Sequence, residues 1–86
     1  MGGVQVGEVT HFYTNISVAV IKLSGSIHLG DSVHFLSRTT DFRQEVKSLQ
    51  IEHQSIEEAG AGQEVAMQVV RRVRRRDKVY KLSGDG

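Results

Sequence analysis

No proline occurs in this chain, and its β-branched and aromatic side chains come in short runs cut by glycine or small polar residues. That punctuation predicts several short strands joined by turns, because glycine opens the backbone for reversal while Val, Ile, Thr, Phe and Tyr fit a pleated, half-buried surface. Helical spacing is weak by comparison. The clearest case is residues 64–70, where Val65, Met67 and Val69 alternate with Glu64, Ala66 and Gln68, the period of a strand with one buried face.

Eighty-six residues fit one domain. A chain of that size buries roughly 60–65% of the surface its unfolded form exposes, so its core has to be continuous. Hydrophobic residues at 38% and charged residues at 24% put it among globular rather than disordered sequences. With no cysteine, disulfides, thiolate zinc sites, iron–sulfur clusters and cysteine nucleophiles are excluded together. The longest apolar run, Val18 to Ile21, is far below the roughly 18 residues of a membrane span, and no basic-then-apolar signal pattern opens the chain, so no membrane role and a cytoplasmic location are expected.

The first strand is expected from about Val4 to Tyr13, with Gly7 marking a bulge or the close approach of a neighbouring backbone. Asn15 suits the turn that follows, and Ser17 to Leu23 reads as a buried strand with Ala19, Ile21 and Leu23 on one face. Ser24-Gly25-Ser26 turns the chain, Ile27 and Leu29 point inward, and Gly30-Asp31 makes a tight turn before a strand at 32–36 that buries Val33 and Phe35. After a hairpin loop at 37–41, Phe42 to Glu52 is expected as one long strand with a bulge near Lys47-Ser48, since Val46, Leu49 and Ile51 break alternation. Residues 52–64 read as an acidic turn and connection, or as one helical turn beginning at Ser55. Lys78 to Leu82 makes the last strand, residues 1–3 and 83–86 are expected to be disordered, and 4–82 form the domain. Roughly six strands in this length predict a small closed barrel, because closure removes exposed sheet edges.

With the strands placed, four motifs resemble the barrel that follows the GTPase domain in translation factors such as elongation factor Tu. They are Gly7-Glu8-Val9, Ile27-His28-Leu29-Gly30-Asp31-Ser32-Val33, Leu49-Gln50-Ile51-Glu52, and Ala59-Gly60-Ala61-Gly62-Gln63-Glu64-Val65. More narrowly, Gly7 to Phe12, Thr39-Thr40-Asp41-Phe42, Gln50-Ile51-Glu52-His53 and Asp77-Lys78-Val79-Tyr80-Lys81 resemble the stand-alone translation elongation factor-like small proteins, and through them the C-terminal barrel of collagenase-like peptidases. The resemblance implies an all-β fold, a closed six-stranded Greek-key β-barrel of the translation-factor domain 2 type. Two residues depart from the pattern: Gln63 stands where aspartate is common, and Arg76 where glycine is usual. No binding residue of the larger factors maps onto a motif in this chain.

Catalytic and cofactor motifs are absent. There is no Gly-x-x-x-x-Gly-Lys-Ser/Thr phosphate loop, hence no nucleotide partner, and no Gly-x-Ser-x-Gly elbow to build a triad from a serine, His11 or His53, and Asp41. His11, His28, His34 and His53, with Asp31 or Asp41, match no compact metal-ligand spacing, so no metal and no cofactor are expected. The acidic pair Glu57-Glu58 reads as a solvated turn.

Charge is segregated. Residues 71–81 hold seven bases and one acid, while the rest of the chain holds four bases and nine acids. Arg71, Arg72, Arg74, Arg75, Arg76 and Lys78 are therefore the candidate binding residues, because guanidiniums crowded on one loop repel each other and match phosphate or carboxylate oxygens. On a translation-type barrel the expected ligand is RNA, a transfer or ribosomal RNA, in a non-enzymatic binding module. The alternatives are a protein-interaction subunit that docks the loop on the acidic surface of a peptidase-like or other larger protein, and a surface on which Glu52, Glu57, Glu58 and Glu64 neutralise the cluster.

Overall fold

The structure is a computed structural model that describes residues 3–82; the fraying expected at residues 1–2 and 83–86 lies outside the described residues. Its six longer strands are β1 (Val4–Tyr13), β2 (Val18–Leu23), β4 (Ser32–Leu36), β5 (Asp41–Glu45), β9 (Glu64–Gln68) and β10 (Lys78–Lys81). Four two-residue strands supplement them: β3 (Ile27–His28), β6 (Gln50–Ile51), β7 (Gln54–Ser55) and β8 (Glu58–Ala59). All pairings are antiparallel, in an eight-stranded sheet ordered β5-β4-β10-β1-β2-β9-β6-β7 and a small β3-β8 ladder. The fold is all-β. The last strand, β10, returns between β4 and β1, so chain ends and middle share one sheet.

Each long strand buries the face its alternation predicts. Ala19, Ile21 and Leu23 of β2, Val33 and Phe35 of β4, and Val65 and Met67 of β9 are buried in one core with Val9, Val79 and Leu49. Phe35 and Phe42 lie opposite each other in the β4–β5 register with rings stacked 5.0 Å apart, and full burial of Phe35 contributes about 1.5–3 kcal/mol. The two flanks of the large sheet are joined by a side chain. Gln44 of β5 donates from Nε2 to the Gln68 carbonyl at 2.9 Å and accepts at Oε1 from the Val70 N–H at 2.9 Å, standing in for one peptide of a ladder.

Gly7 proves to be both things its position suggested. The β1–β10 register slips between Gln5 and Gly7, and a Cβ at Gly7 would sit 2.7 Å from Ile21 Cγ2 and 2.9 Å from the Lys22 carbonyl oxygen. A second bulge lies between Val9 and His11 in the β1–β2 pairing. It reverses the phase of β1, so that Phe12 turns toward the core while His11 and Tyr13 face outward with ring centroids 4.3 Å apart.

Residues 42–52 are not one strand. β5 pairs with β4, and the chain then turns at residues 46–49, burying both Val46 and Leu49, before β6 pairs with β7 and β9. The change of partner, rather than a bulge within one ladder, breaks the alternation. The connection after it is built from β7 and β8 and not from a helical turn. Glu52 and His53 form the two-residue hairpin loop between β6 and β7 with φ of 51° and 68°, the left-handed pair of a type I′ turn, without the Asn-Gly that usually announces it.

Candidate functional site

The basic segment leaves β9 and reaches β10 as an irregular loop held at three points. Val73, 1% exposed, is driven into the core between pairs of exposed arginines. The Arg76 N–H donates to the Val9 carbonyl at 2.7 Å, and the Val9 N–H donates to the Asp77 carbonyl at 2.8 Å, fastening the loop to β1 beside its second bulge. Asp77, 3% exposed, accepts from the Arg74 N–H at 2.9 Å. The single acid of the segment is thus taken by the loop's own backbone.

That last contact belongs to a turn used three times. In His28-Leu29-Gly30-Asp31, Gly60-Ala61-Gly62-Gln63 and Arg74-Arg75-Arg76-Asp77, the fourth N–H donates to the first carbonyl at 3.0, 3.2 and 3.1 Å. In each, the fourth side-chain oxygen accepts from the first N–H, at 2.9, 2.8 and 2.9 Å respectively. The third residue takes φ of 91°, 90° and 76°, as a type II turn requires. Gln63 therefore performs with its amide what aspartate does in the other two. Arg76 fills a position suited to glycine, where a side chain costs roughly 1–2 kcal/mol.

Arg71, Arg72, Arg74, Arg75 and Arg76 are all exposed, and among the described residues no carboxylate lies within 4.0 Å of any of them. Of the acids weighed from the sequence, Glu64 accepts from Thr10 Oγ1 at 2.9 Å, and Glu58 lies on the β3–β8 ladder. Lys78 stands apart from the five arginines, half-buried on β10 with its Nζ 3.3 Å from Glu8. The loop overhangs a groove of about 410 Å³ lined by Arg72, Val73, Arg74 and Arg75 together with His11, Phe12 and Thr14 of the first strand and its turn. Neither Phe12 nor Val73 could be assigned to it from the sequence, since the bulge that turns Phe12 inward carries no glycine or other marker.

A larger groove, about 840 Å³, runs over Tyr13, Ile16, Val18, Val20 and Ile51 with Glu52 and Glu64 at its edge. Gln50, His53 and Gln63 also line it, and it holds no cluster of basic side chains. The histidines remain apart: His34 Nε2 lies 2.6 Å from Asp41 Oδ1, His28 Nδ1–H donates to its neighbour's carbonyl at 2.7 Å, and His53 sits in the hairpin. Asp41 is thus engaged by His34 rather than by His11 or His53. Among the described residues no three His, Cys, Asp or Glu side chains gather as metal ligands, and no helix is long and apolar enough to cross a membrane.

No protein-family model matches the chain. It is 38% identical over 80 residues to an uncharacterised protease of Methanocaldococcus jannaschii, an alignment covering 92% of this chain and 20% of the relative. It is 31% identical over 81 residues to a collagenase of Porphyromonas gingivalis, again covering 92% of the chain and 20% of the relative. These names support the collagenase-like side of the resemblance; they give no support to a translation-factor identity or to RNA contact. The chain spans about a fifth of the length of these curated relatives, and its fold is similar to that of the C-terminal domain of a Geobacillus thermoleovorans protein described as a U32 peptidase, with a TM-score of 0.87 at 20% identity over 92% of each chain.

Proposed function

We propose that this chain is a non-catalytic β-domain that works by contact with a larger peptidase-type protein, offering Arg71, Arg72, Arg74, Arg75 and Arg76 to an acidic surface. The observation that supports this most is its match to about a fifth of proteins named as a protease or a collagenase, together with the fold of a peptidase's C-terminal domain. The residues alone rank RNA first; the comparisons favour the protein partner. Exposed guanidiniums without carboxylate partners among the described residues suit such a role, because complementary charge steers encounter and fixes orientation.

Affinity capture with the tagged chain after nuclease treatment tests it. One stoichiometric, peptidase-like protein identified by mass spectrometry is expected. Recovery of RNA instead, with every captured protein lost on nuclease treatment, overturns the reading in favour of nucleic acid. The purified chain by itself is expected to leave gelatin and casein intact, and turnover that co-elutes with it through successive columns would remove the non-catalytic assignment.

A further inference from the structure

The arginines border an open groove in which Phe12 is the part-exposed apolar side chain. Half-buried Phe12 supplies the apolar surface over the buried Val73, His11 and Thr14 stand at the side, and Arg72, Arg74 and Arg75 line the same groove of about 410 Å³. Its volume falls within the roughly 300–1,000 Å³ of binding clefts. The groove depends on two independent devices: the bulge between Val9 and His11 that turns Phe12 inward, and the buried Asp77 that shapes the loop. Arg76, next in the chain after Arg75, takes a left-handed conformation that glycine would adopt without strain.

We infer that this groove receives an extended acidic segment of a partner protein, whose carboxylates pair with Arg72, Arg74 and Arg75 while one aromatic or aliphatic side chain packs on the exposed part of Phe12. The inference rests on the protein-contact reading and narrows it to one kind of segment. Charge complementarity identifies the occupant. Five guanidiniums within six residues lack carboxylates among the described residues, and a carboxylate accepts two parallel N–H bonds from each guanidinium it meets. A polyphosphate chain satisfies the guanidiniums equally well but leaves Phe12 uncovered, whereas an acidic segment with one apolar residue covers both.

Fluorescence anisotropy with the whole chain at about 50 and 200 mM salt decides this, a range over which several charge contacts change affinity strongly. The probes are labelled Asp-Asp-Phe-Asp-Asp, labelled Asp-Asp-Ala-Asp-Asp and a ten-nucleotide uridine RNA. The phenylalanine peptide is expected to bind at least about tenfold tighter than the alanine peptide, as burial of an aromatic side chain gives. Substituting R72S, R74S and R75S together is expected to weaken it at least about tenfold and to flatten its salt dependence; the three side chains are exposed, and circular dichroism checks that the fold persists. Equal binding of the two peptides, tighter binding of the RNA, or an unaffected triple variant overturns the proposal. If the peptides fail while the unsubstituted chain still captures a nuclease-resistant peptidase-like partner, this groove is wrong and the broader reading stands. If both fail, the broader reading falls with it.

Discussion

The turns at residues 28–31 and 74–77 are built on one plan and put it to different ends. Both close with a fourth-to-first backbone bond, and both fix their first N–H with an aspartate oxygen at 2.9 Å. The first uses Gly30 at the left-handed position and carries little charge; the second uses Arg76 there, with Arg74 and Arg75 in the turn and Arg71 and Arg72 just before it. Asp31 is half-buried, whereas Asp77 is 3% exposed. The difference teaches that the basic loop is not a slack, solvated connection. It is a shaped element in which buried groups hold mutually repelling side chains in place.

Removing the aspartates should separate the two turns most. Asp77→Ala leaves the Arg74 N–H without its buried acceptor and is expected to lose about 1–3 kcal/mol in urea unfolding, whereas Asp31→Ala, with water able to substitute, should lose about 0.5–1 kcal/mol. Equal losses would mean that burial is not what distinguishes the turns. The left-handed positions should respond with opposite signs. Gly30→Ala meets no atom within 4 Å, so its expected loss of about 1 kcal/mol is backbone strain alone. Arg76→Gly should gain about 0.5–1 kcal/mol, the relieved strain less the entropy glycine adds to the unfolded chain. A destabilised Arg76→Gly protein would show that the Arg76 side chain makes stabilising contacts of its own.

The smallest effect is the sharpest on charge. Replacing Arg72, Arg74 and Arg75 with serine should change stability by less than about 0.5 kcal/mol, in the stabilising direction at low salt, and the change should fade as salt screens the repulsion. Destabilisation at low salt would mean that these arginines pair with the protein's own acids.

Much of the fold was legible because strand alternation is local. Val65-Ala66-Met67-Gln68 and Ala19-Val20-Ile21 announce their buried faces in a few residues, and Gly30 announces its turn. The segment from Phe42 to Glu52 did not, since a strand that changes partners looks in sequence like one strand with a defect. The Glu52-His53 hairpin was hidden because neither residue advertises positive φ. Of the candidate site, the arginines were plain and the groove beneath them was not.

The sequence by itself determined an all-β domain with one basic loop on an acidic body, because periodicity and charge are properties of neighbouring residues. Only the tertiary structure decided that Asp77 faces the Arg74 backbone, that Lys78 pairs with Glu8 while the arginines find no carboxylate among the described residues, and that a bulge brings Phe12 to Val73. Those relations join residues as far as 70 positions apart or turn on a one-residue slip of register, and neither distance in space nor register is written in local pattern.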